Sequence, residues 1–405
     1  MNSDLVELLA KLVRIPSVNP MGLAAADSDL LYECRLTDFL AEWLRERGIL
    51  IGRQLVEELP DGRRRENLLA RFDAGDESPK ERPLLLWEVH QDTVPVEGMT
   101  IEPFAAEVWD GRLYGRGACD VKGGMAAMLT ALARLAREQP AGCANVVLAL
   151  TVNEEHGFSG ASALSGCWRE IDEFRDIFPR RPAACVVAEP TDLDVVVAHK
   201  GVVRWNCHTR GRAVHSSRPQ DGENAIYKMA PVLSAFARYA DEVVASLGED
   251  PLCGRPSLSV GTIHGGTSVN TVPDGCTVAI DRRLLPGESP EAAQRHAMDY
   301  VSAQVGPEAV VHDAPTILSP GLESTENAEL AARLGELARR HGARGDNVGV
   351  PYGTDAAILA RGGLPTVVFG PGSIEQAHTK DEWVELAEVE RASEIYYELA
   401  ATYSV

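Results

Sequence analysis

Apolar residues recur along the chain with two periods, and the alternation between them predicts the elements. Leu5, Leu8, Leu9, Leu12 and Val13 share one helical face, capped at the start by Ser3 or Asp4, and Ile15-Pro16 ends that helix. Leu36, Phe39, Leu40, Trp43 and Leu44 predict a second helix, with Gly48 just past its end. Residues 50–83 alternate polar and apolar positions and fit two strands, around Leu55 and around 68–72. Short, nearly continuous apolar runs then occur at 84–89, 146–152, 184–188 and 366–369. Each has the length and composition of a strand covered on both faces. Met125, Met128, Leu129, Leu132 and Leu135 predict a helix between the first two runs. Buried strands alternating with helices predict an α/β fold built on a mixed, largely parallel sheet flanked by helices.

Between 199 and 313 the texture changes. Residues 202–209 alternate like a half-exposed strand, a helix runs through Ala225, Met229, Val232, Leu233 and Phe236, and strands follow at 258–263 and 276–281. Another helix spans about 290–304. This order predicts an inserted α+β sandwich of the ferredoxin-like kind. The first domain then comprises 1–198 and 314–405, because its last strand lies near the C-terminus.

In an open α/β sheet, ligands sit at the carboxyl ends of the strands. Here the strand at 84–89 ends in His90-Gln91-Asp92, that at 146–152 in Asn153-Glu154-Glu155, and that at 184–188 in Glu189-Pro190-Thr191. The run at 366–369 leads through Gly370-Pro371-Gly372 to His378. A fifth candidate, Asp120, lies in the glycine-punctuated stretch Gly115-Arg116-Gly117-Ala118-Cys119-Asp120-Val121-Lys122-Gly123-Gly124. Its Gly-x-Gly start looks like a dinucleotide fingerprint, but an aspartate at the sixth position would repel a pyrophosphate. A cation-binding role suits it better. One acidic strand end would be an ordinary solvated loop; four of them, each carrying metal-ligand residue types, point to a site.

Imidazole and carboxylate donors suit zinc, with cobalt or manganese as substitutes. Five ligands, His90, Asp120, Glu155, Glu189 and His378, exceed what one catalytic zinc uses. Two metals sharing Asp120 would use all five, each with one histidine and one terminal carboxylate, and would acidify a water between them. Asp92 lies two residues after His90, so in extended backbone its carboxylate faces the same way and can orient the imidazole. Glu154 and Glu155 would point to opposite sides of an extended segment. Glu155 then ligates and Glu154 acts as general base on the bridging water. Taken blind, a Glu-Glu pair is more often a solvated surface feature. His208, His264, His296, His312 and His341 are scattered and read as surface or structural; His156 and His199 adjoin proposed ligands. His215, in a strand-to-turn segment, reads by itself as a turn histidine.

Composition narrows the partners. A chain of 405 residues exceeds one ordinary core, and 45% hydrophobic with 24% charged residues is a globular profile. The net charge of −21 argues against nucleic acid and anionic membranes, and no apolar run approaches the roughly 20 residues of a membrane span. No basic and apolar leader opens the sequence, and eight scattered cysteines form no Cys-x-x-Cys pair. A reduced, cytoplasmic protein is expected. No Gly-x-x-x-x-Gly-Lys loop or Gly-x-Ser-x-Gly elbow is present, which disfavours nucleotide and serine-hydrolase chemistry.

His90-x-Asp92, Gly115-Arg116-Gly117-x-x-Asp120-x-Lys122-Gly123-Gly124, Glu154-Glu155, Glu189-Pro190-Thr191 and Gly370-Pro371-Gly372 leading to His378 occur in this order. Together they resemble the dizinc amidohydrolases that include acetylornithine deacetylase, succinyl-diaminopimelate desuccinylase, aminoacylase and carboxypeptidase G. The resemblance implies two zinc ions on the five ligands, Asp120 bridging and Glu154 as base. It also implies a homodimer formed through the inserted domain. His215 then reaches the neighbouring subunit's active site to stabilise the oxyanion. Asn270, Arg283, Gly353 and Thr354 match substrate contacts, Arg283 being suited to a bidentate hold on a carboxylate.

Residues 370–378 and Ala198-His199-Lys200-Gly201 look closest to the acetylornithine deacetylases, with a place in arginine biosynthesis. Asp355, Ala356 and Ala357 depart from the serine and arginine of the desuccinylases, which counts against that substrate. The expected function is hydrolysis of the amide bond of an N-acyl-L-amino acid, N-acetylornithine or a close analogue. A dipeptidase or carboxypeptidase would use the same chemistry. A metal-stabilised binding protein would have closed coordination and no use for Glu154.

Overall fold

A computed structural model describes residues 2–22, 29–75, 82–168 and 173–403. In chain order it contains α1 (Ser3–Arg14), α2 (Cys34–Arg45), β1 (Leu50–Glu58), β2 (Arg64–Phe72), β3 (Leu84–His90), β4 (Glu107–Trp109), β5 (Arg112–Tyr114) and α3 (Gly123–Glu138). Next come β6 (Asn145–Thr151), α4 (Ser159–Leu164), β7 (Ala184–Val187), β8 (Val195–His199), β9 (Gly201–Arg210), α5 (Ala225–Arg238), β10 (Ser257–Gly265) and β11 (Gly275–Leu284). The chain continues through α6 (Pro290–Val305), β12 (Val311–His312), β13 (Ile317–Ser319), α7 (Ala328–Arg340) and β14 (Asn347–Val350). It closes with α8 (Ala356–Ala360), β15 (Thr366–Val368), β16 (Trp383–Glu385) and α9 (Leu386–Thr402).

The contacts divide the chain into two compact units, Met1–Val197 with Ser324–Val348 and Thr354–Val405, and Ala198–Glu323 with Gly349–Gly353. The second unit runs on to Glu323 rather than ending at 313. The reason is β13, which pairs with β9 through Ile317↔Arg204 and Ser319↔Val202 and so stays with the inserted sheet.

The large sheet of the first unit has the order β1-β2-β6-β3-β7-β15-β8-β14. Its centre is parallel: β6 with β3, β3 with β7, and β7 with β15. β1, β2 and β8 add antiparallel pairs outside it. Strands β3 and β6 are buried throughout, as continuous apolar runs demand. Leu85, Trp87 and Val89 of β3 join Leu12 of α1, Leu40 of α2, Met128 and Leu132 of α3, Leu334 of α7 and Ile395 of α9 in one core. By strand alternation Glu88 and His90 point to the opposite face. The cap of α1 is Asn2, not Ser3 or Asp4: its side chain accepts from the amides of Asp4 and Leu5. A small sheet β16-β5-β4 is made of three-residue strands, too short to show a period in the sequence.

The second unit has the βαββαβ order of a ferredoxin-like sandwich. Its antiparallel sheet runs β10-β11-β9-β12, with β13 also on β9, and α5 and α6 pack on it around Trp205, Met229, Phe236, Val278, Ile280 and Val301. The regular alternation of buried positions along β11 is the pattern of a sheet covered on one face. Among the described residues, no helix is long and apolar enough to cross a membrane. Of the eight cysteines, seven are buried and Cys34 is partly exposed.

A buried ion pair ties the α2 entry of the first unit to its sheet. Arg65 of β2 holds Glu33 with two bonds of 2.6 and 2.9 Å, and the two side chains are 5% and 0% exposed. Breaking such a pair strands a charge in the interior. Arg65→Met should therefore cost about 3–5 kcal/mol in urea unfolding of this unit. Glu33→Leu combined with Arg65→Met should recover most of the loss; a single substitution that unfolds like wild type would remove the pair's role.

Candidate metal centre and active site

Parallel pairing puts the carboxyl ends of β6, β3, β7 and β15 on one edge of the sheet. His90 is the last residue of β3, Glu154 and Glu155 follow β6, Glu189 follows β7, and the segment to His378 follows β15. The sheet thus gathers four chain segments that are far apart in sequence. Gly370 helps them meet, because a Cβ there would lie 2.6 Å from the Glu189 carbonyl oxygen.

Asp120 enters from the turn Ala118–Lys122 that precedes α3, across a cis Asp120–Val121 peptide. The turn is entered through Gly117, whose φ of +82° disfavours a side chain and where a Cβ would lie 2.7 Å from Thr93 Cγ2.

Two donor groups result, and Asp120 belongs to both. His90, Asp120 and Glu189 form one; Asp120, Glu155 and His378 form the other. Asp120 Oδ1 lies 3.1 Å from His90 Nε2, which is 3.8 Å from Glu189 Oε1. Asp120 Oδ2 lies 3.2 Å from His378 Nε2, which is 3.3 Å from Glu155 Oε2. One carboxylate therefore turns one oxygen to each group. All of these side chains are buried except His378, which is half exposed.

Asp92 behaves differently from the expectation. It is the main-chain carbonyl of Asp92 that accepts His90 Nδ1–H, at 2.9 Å; the carboxylate is 3.8 Å away. With Nδ1 committed to that carbonyl, Nε2 is the ring nitrogen that faces Asp120. The Asp92 carboxylate instead accepts the amides of Glu154 and Glu155, both at 3.1 Å, and the Asn19 amide at 2.8 Å. Glu154 and Glu155 are consequently not on extended backbone. They sit in a turn that starts at Asn153, whose φ is +64°. Glu33 accepts the Asn153 amide and Asn19 reaches the Asn153 side chain. Sequence reasoning had no signal for Asn19 or Glu33, which act through contacts remote in the chain.

The electrostatics are those of crowded acids. Burial pushes Glu155 up to about 7, with the Asp120 charge adding to it. Burial and neighbouring carboxylates raise Glu154 and Glu189 well above the usual range. Burial works against Asp120 as well, but the two imidazoles on its oxygens outweigh it and hold it low. Hydrogen bonds to Asp120 and Glu155 raise His378 to about 10. Glu88 of β3 and Asp355 form another buried acid pair near the Thr151 hydroxyl. Glu155 Oε1 is buried with no hydrogen-bond donor. Two imidazoles, three carboxylates and an unpartnered buried oxygen are what a pair of divalent cations would satisfy.

The remaining candidates belong mostly to the second unit. His215 is exposed; its Nδ1 accepts the Ser217 amide at 3.2 Å, which leaves Nε2 as an N–H donor. Asn270 is exposed beside it, its carbonyl accepting the Ser216 amide at 2.9 Å. Arg283 already makes a two-bond pair with Asp281 of its own strand, at 2.7 and 3.2 Å. Gly353 closes the second unit, whereas Thr354 is buried in the first and its hydroxyl accepts the Ala356 amide at 3.2 Å.

Comparison with known proteins gives the same direction. The model of peptidase family M20/M25/M40 matches residues 86–402. An acetylornithine deacetylase of Edwardsiella ictaluri (strain 93-146) is 31% identical over 397 residues, 95% of this chain and 94% of that one. The di-peptidase Dug1p of Saccharomyces cerevisiae has the same fold, with a TM-score of 0.77 at 15% identity over 99% of this chain and 96% of that one. So does the Bacillus subtilis YXEP protein, a dinuclear metal binding peptidase, with a TM-score of 0.66 at 17% identity over 98% and 97%. A family match over most of the length, on a chain whose strand ends converge on one shared carboxylate, makes this protein a metal-dependent amidohydrolase that belongs to peptidase family M20/M25/M40.

Proposed function

We propose that the protein hydrolyses the amide bond of an N-acyl-L-amino acid, N-acetylornithine or a close analogue, with two zinc ions held by His90, Asp120, Glu155, Glu189 and His378. The observation that carries this reading is the division of Asp120, one oxygen to each of two donor groups, with Glu154 on the adjoining turn. The likeness to an acetylornithine deacetylase supports the substrate. Histidine and carboxylate donors without thiolate favour zinc, with cobalt or manganese able to substitute.

When bound, such ions supply Lewis acidity that polarises the amide carbonyl and acidifies water. The chain supplies the proton traffic. A Glu154 carboxylate oxygen takes a proton from the attacking water as its oxygen bonds to the carbonyl carbon. Glu154 then returns that proton to the amine nitrogen as the C–N bond breaks. Its raised affinity for protons suits both steps. Asp92 holds the turn so that Glu154 and Glu155 keep separate tasks. In a homodimer His215 of a neighbouring copy would donate Nε2–H to the developing oxyanion. The edge strand β10 exposes most of its residues and α5 presents Tyr227 at 77% exposure, which supports pairing of two copies there. Asn270, Gly353 and Thr354 would contact substrate, and Arg283 would grip a substrate carboxylate by exchanging it for Asp281. Eight scattered cysteines with no Cys-x-x-Cys pair favour the cytoplasm.

A panel of N-acetylornithine, other N-acetyl amino acids, N-succinyl-diaminopimelate and dipeptides, on zinc- and cobalt-loaded protein with a chelator control, tests the substrate. Chelator-sensitive cleavage led by N-acetylornithine is expected; a lead by dipeptides with free amines would replace the acyl-amino-acid reading with a peptidase. Glu154→Gln should lower kcat about 10²–10⁴-fold while metal content stays near two per chain. Retained turnover would remove Glu154 as the base.

Metal binding must also displace protons. His378, held at about 10, is charged at neutral pH in metal-free protein, and Glu155, at about 7, is partly protonated. Both bind metal only after losing the proton. Affinity should therefore rise from about pH 6 to about pH 9, with proton release visible as a buffer-dependent heat in calorimetry. A flat profile would contradict the ligand assignment.

A further inference from the structure

Glu382 stands outside every role assigned so far. It lies four positions after His378, immediately before β16, and is fully buried. Its hydrogen bonds reach the stretch that carries Asp120. Its Oε1 accepts the amides of Cys119 and Asp120, both at 2.9 Å. Its Oε2 accepts the Gly117 amide at 3.0 Å and the Arg116 guanidinium at 2.6 Å. Its main-chain carbonyl accepts the Gly115 amide at 2.9 Å. The residue thus receives five hydrogen bonds from 115–120. Arg116 also donates to the Thr379 carbonyl at 3.3 Å, next to His378. The clasp joins the loop of the shared ligand to the loop of a terminal one.

We propose that Glu382 is a positioning residue that acts through Asp120: with Arg116 it fixes the Asp120 and His378 loops ahead of metal binding. The consequence is asymmetric. The group of Asp120, Glu155 and His378 takes two of its three donors from these loops. The group of His90, Asp120 and Glu189 takes one, and its other two sit at the ends of β3 and β7. Loss of the clasp should therefore weaken the first group more than the second. The inference rests on the two-metal reading above.

Glu382→Gln is the sharp test, because it keeps volume while replacing one acceptor oxygen by NH₂. Whichever way the amide is turned, that NH₂ faces two donors: Arg116 and Gly117, or Cys119 and Asp120. Metal-free wild type and variant are titrated with cobalt(II) against a competing chelator, read by visible absorption rather than turnover. One binding step should weaken about 10–100-fold, the range for residues that orient metal ligands, while the other moves less than about threefold. Two unchanged steps would overturn the proposal, and so would two equally weakened steps, the signature of a merely structural role.

If the variant does not fold, hydrogen exchange on wild type decides. Amides in a peptide covering 115–122 should be protected in chelator-treated protein; rapid exchange that slows only on cobalt loading would show that Glu382 does not preset the loop. Wild type that takes up fewer than two cobalt ions would sink the two-metal reading instead, and the exchange measurement would still judge the clasp.

Discussion

The site depends on one carboxylate held so that its two oxygens face different donor groups. An aspartate side chain has two free torsions, so nothing intrinsic to Asp120 fixes this orientation. Its backbone is fixed instead, by Glu382 and Arg116 from one side and by the Gly117 turn from the other. The imidazoles are fixed as well: His90 by the Asp92 carbonyl, and His378 by its place in the loop after β15. Once the backbone is set, the 3.1 and 3.2 Å approaches to His90 and His378 follow together.

Assembling such a centre opposes folding. Asp120, Glu154, Glu155 and Glu189 are brought together at a largely buried sheet edge, and burial, with their mutual repulsion added to it, shows in the raised affinity of three of them for protons. The surrounding structure offsets this with hydrogen bonds to main chain. Asp92 takes two amides of the Glu154–Glu155 turn, Glu33 takes the one before them, and Glu382 takes three near Asp120. Acidic side chains thus recur as the fasteners of a site that is itself acidic. The arrangement is stable because each fastener faces amide dipoles or a guanidinium and not another ligand.

What was legible in the sequence follows from how far each signal reaches. Buried parallel strands announce themselves by continuous apolar runs, so the elements that end at His90, Glu154, Glu189 and His378 could be placed, and the edge they share follows from parallel pairing. The adjacency of Glu154 and Glu155 was readable, but their geometry was not, because the left-handed Asn153 turns the chain where an extended segment was expected. Asp92 was the right residue with the wrong partner: spacing alone cannot distinguish its carbonyl from its carboxylate. Glu33, Asn19 and Glu382 gave no signal, since an isolated polar residue has no period and its partners lie remote in sequence. The same limit hid β13 and the three-residue strands of the small sheet.

The division into two units explains why chemistry was easier to read than substrate. The proposed base Glu154 and, among the described residues, both candidate donor groups lie in the first unit, on elements whose order is set by the sheet. The candidates for recognition, His215, Asn270, Arg283 and Gly353, lie in the second. Water attack on an amide needs the same base and the same polarised carbonyl whether the product is acetate or an amino acid. A dipeptidase at 15% identity can therefore share the fold with this chain while a relative at 31% identity is a deacetylase, without conflict between them. Selectivity must come from groups that touch the parts of the substrate on either side of the amide. Arg283 illustrates the difficulty: its fork matches a carboxylate, yet Asp281 already occupies it, so any grip on substrate is a competition between two carboxylates for one guanidinium.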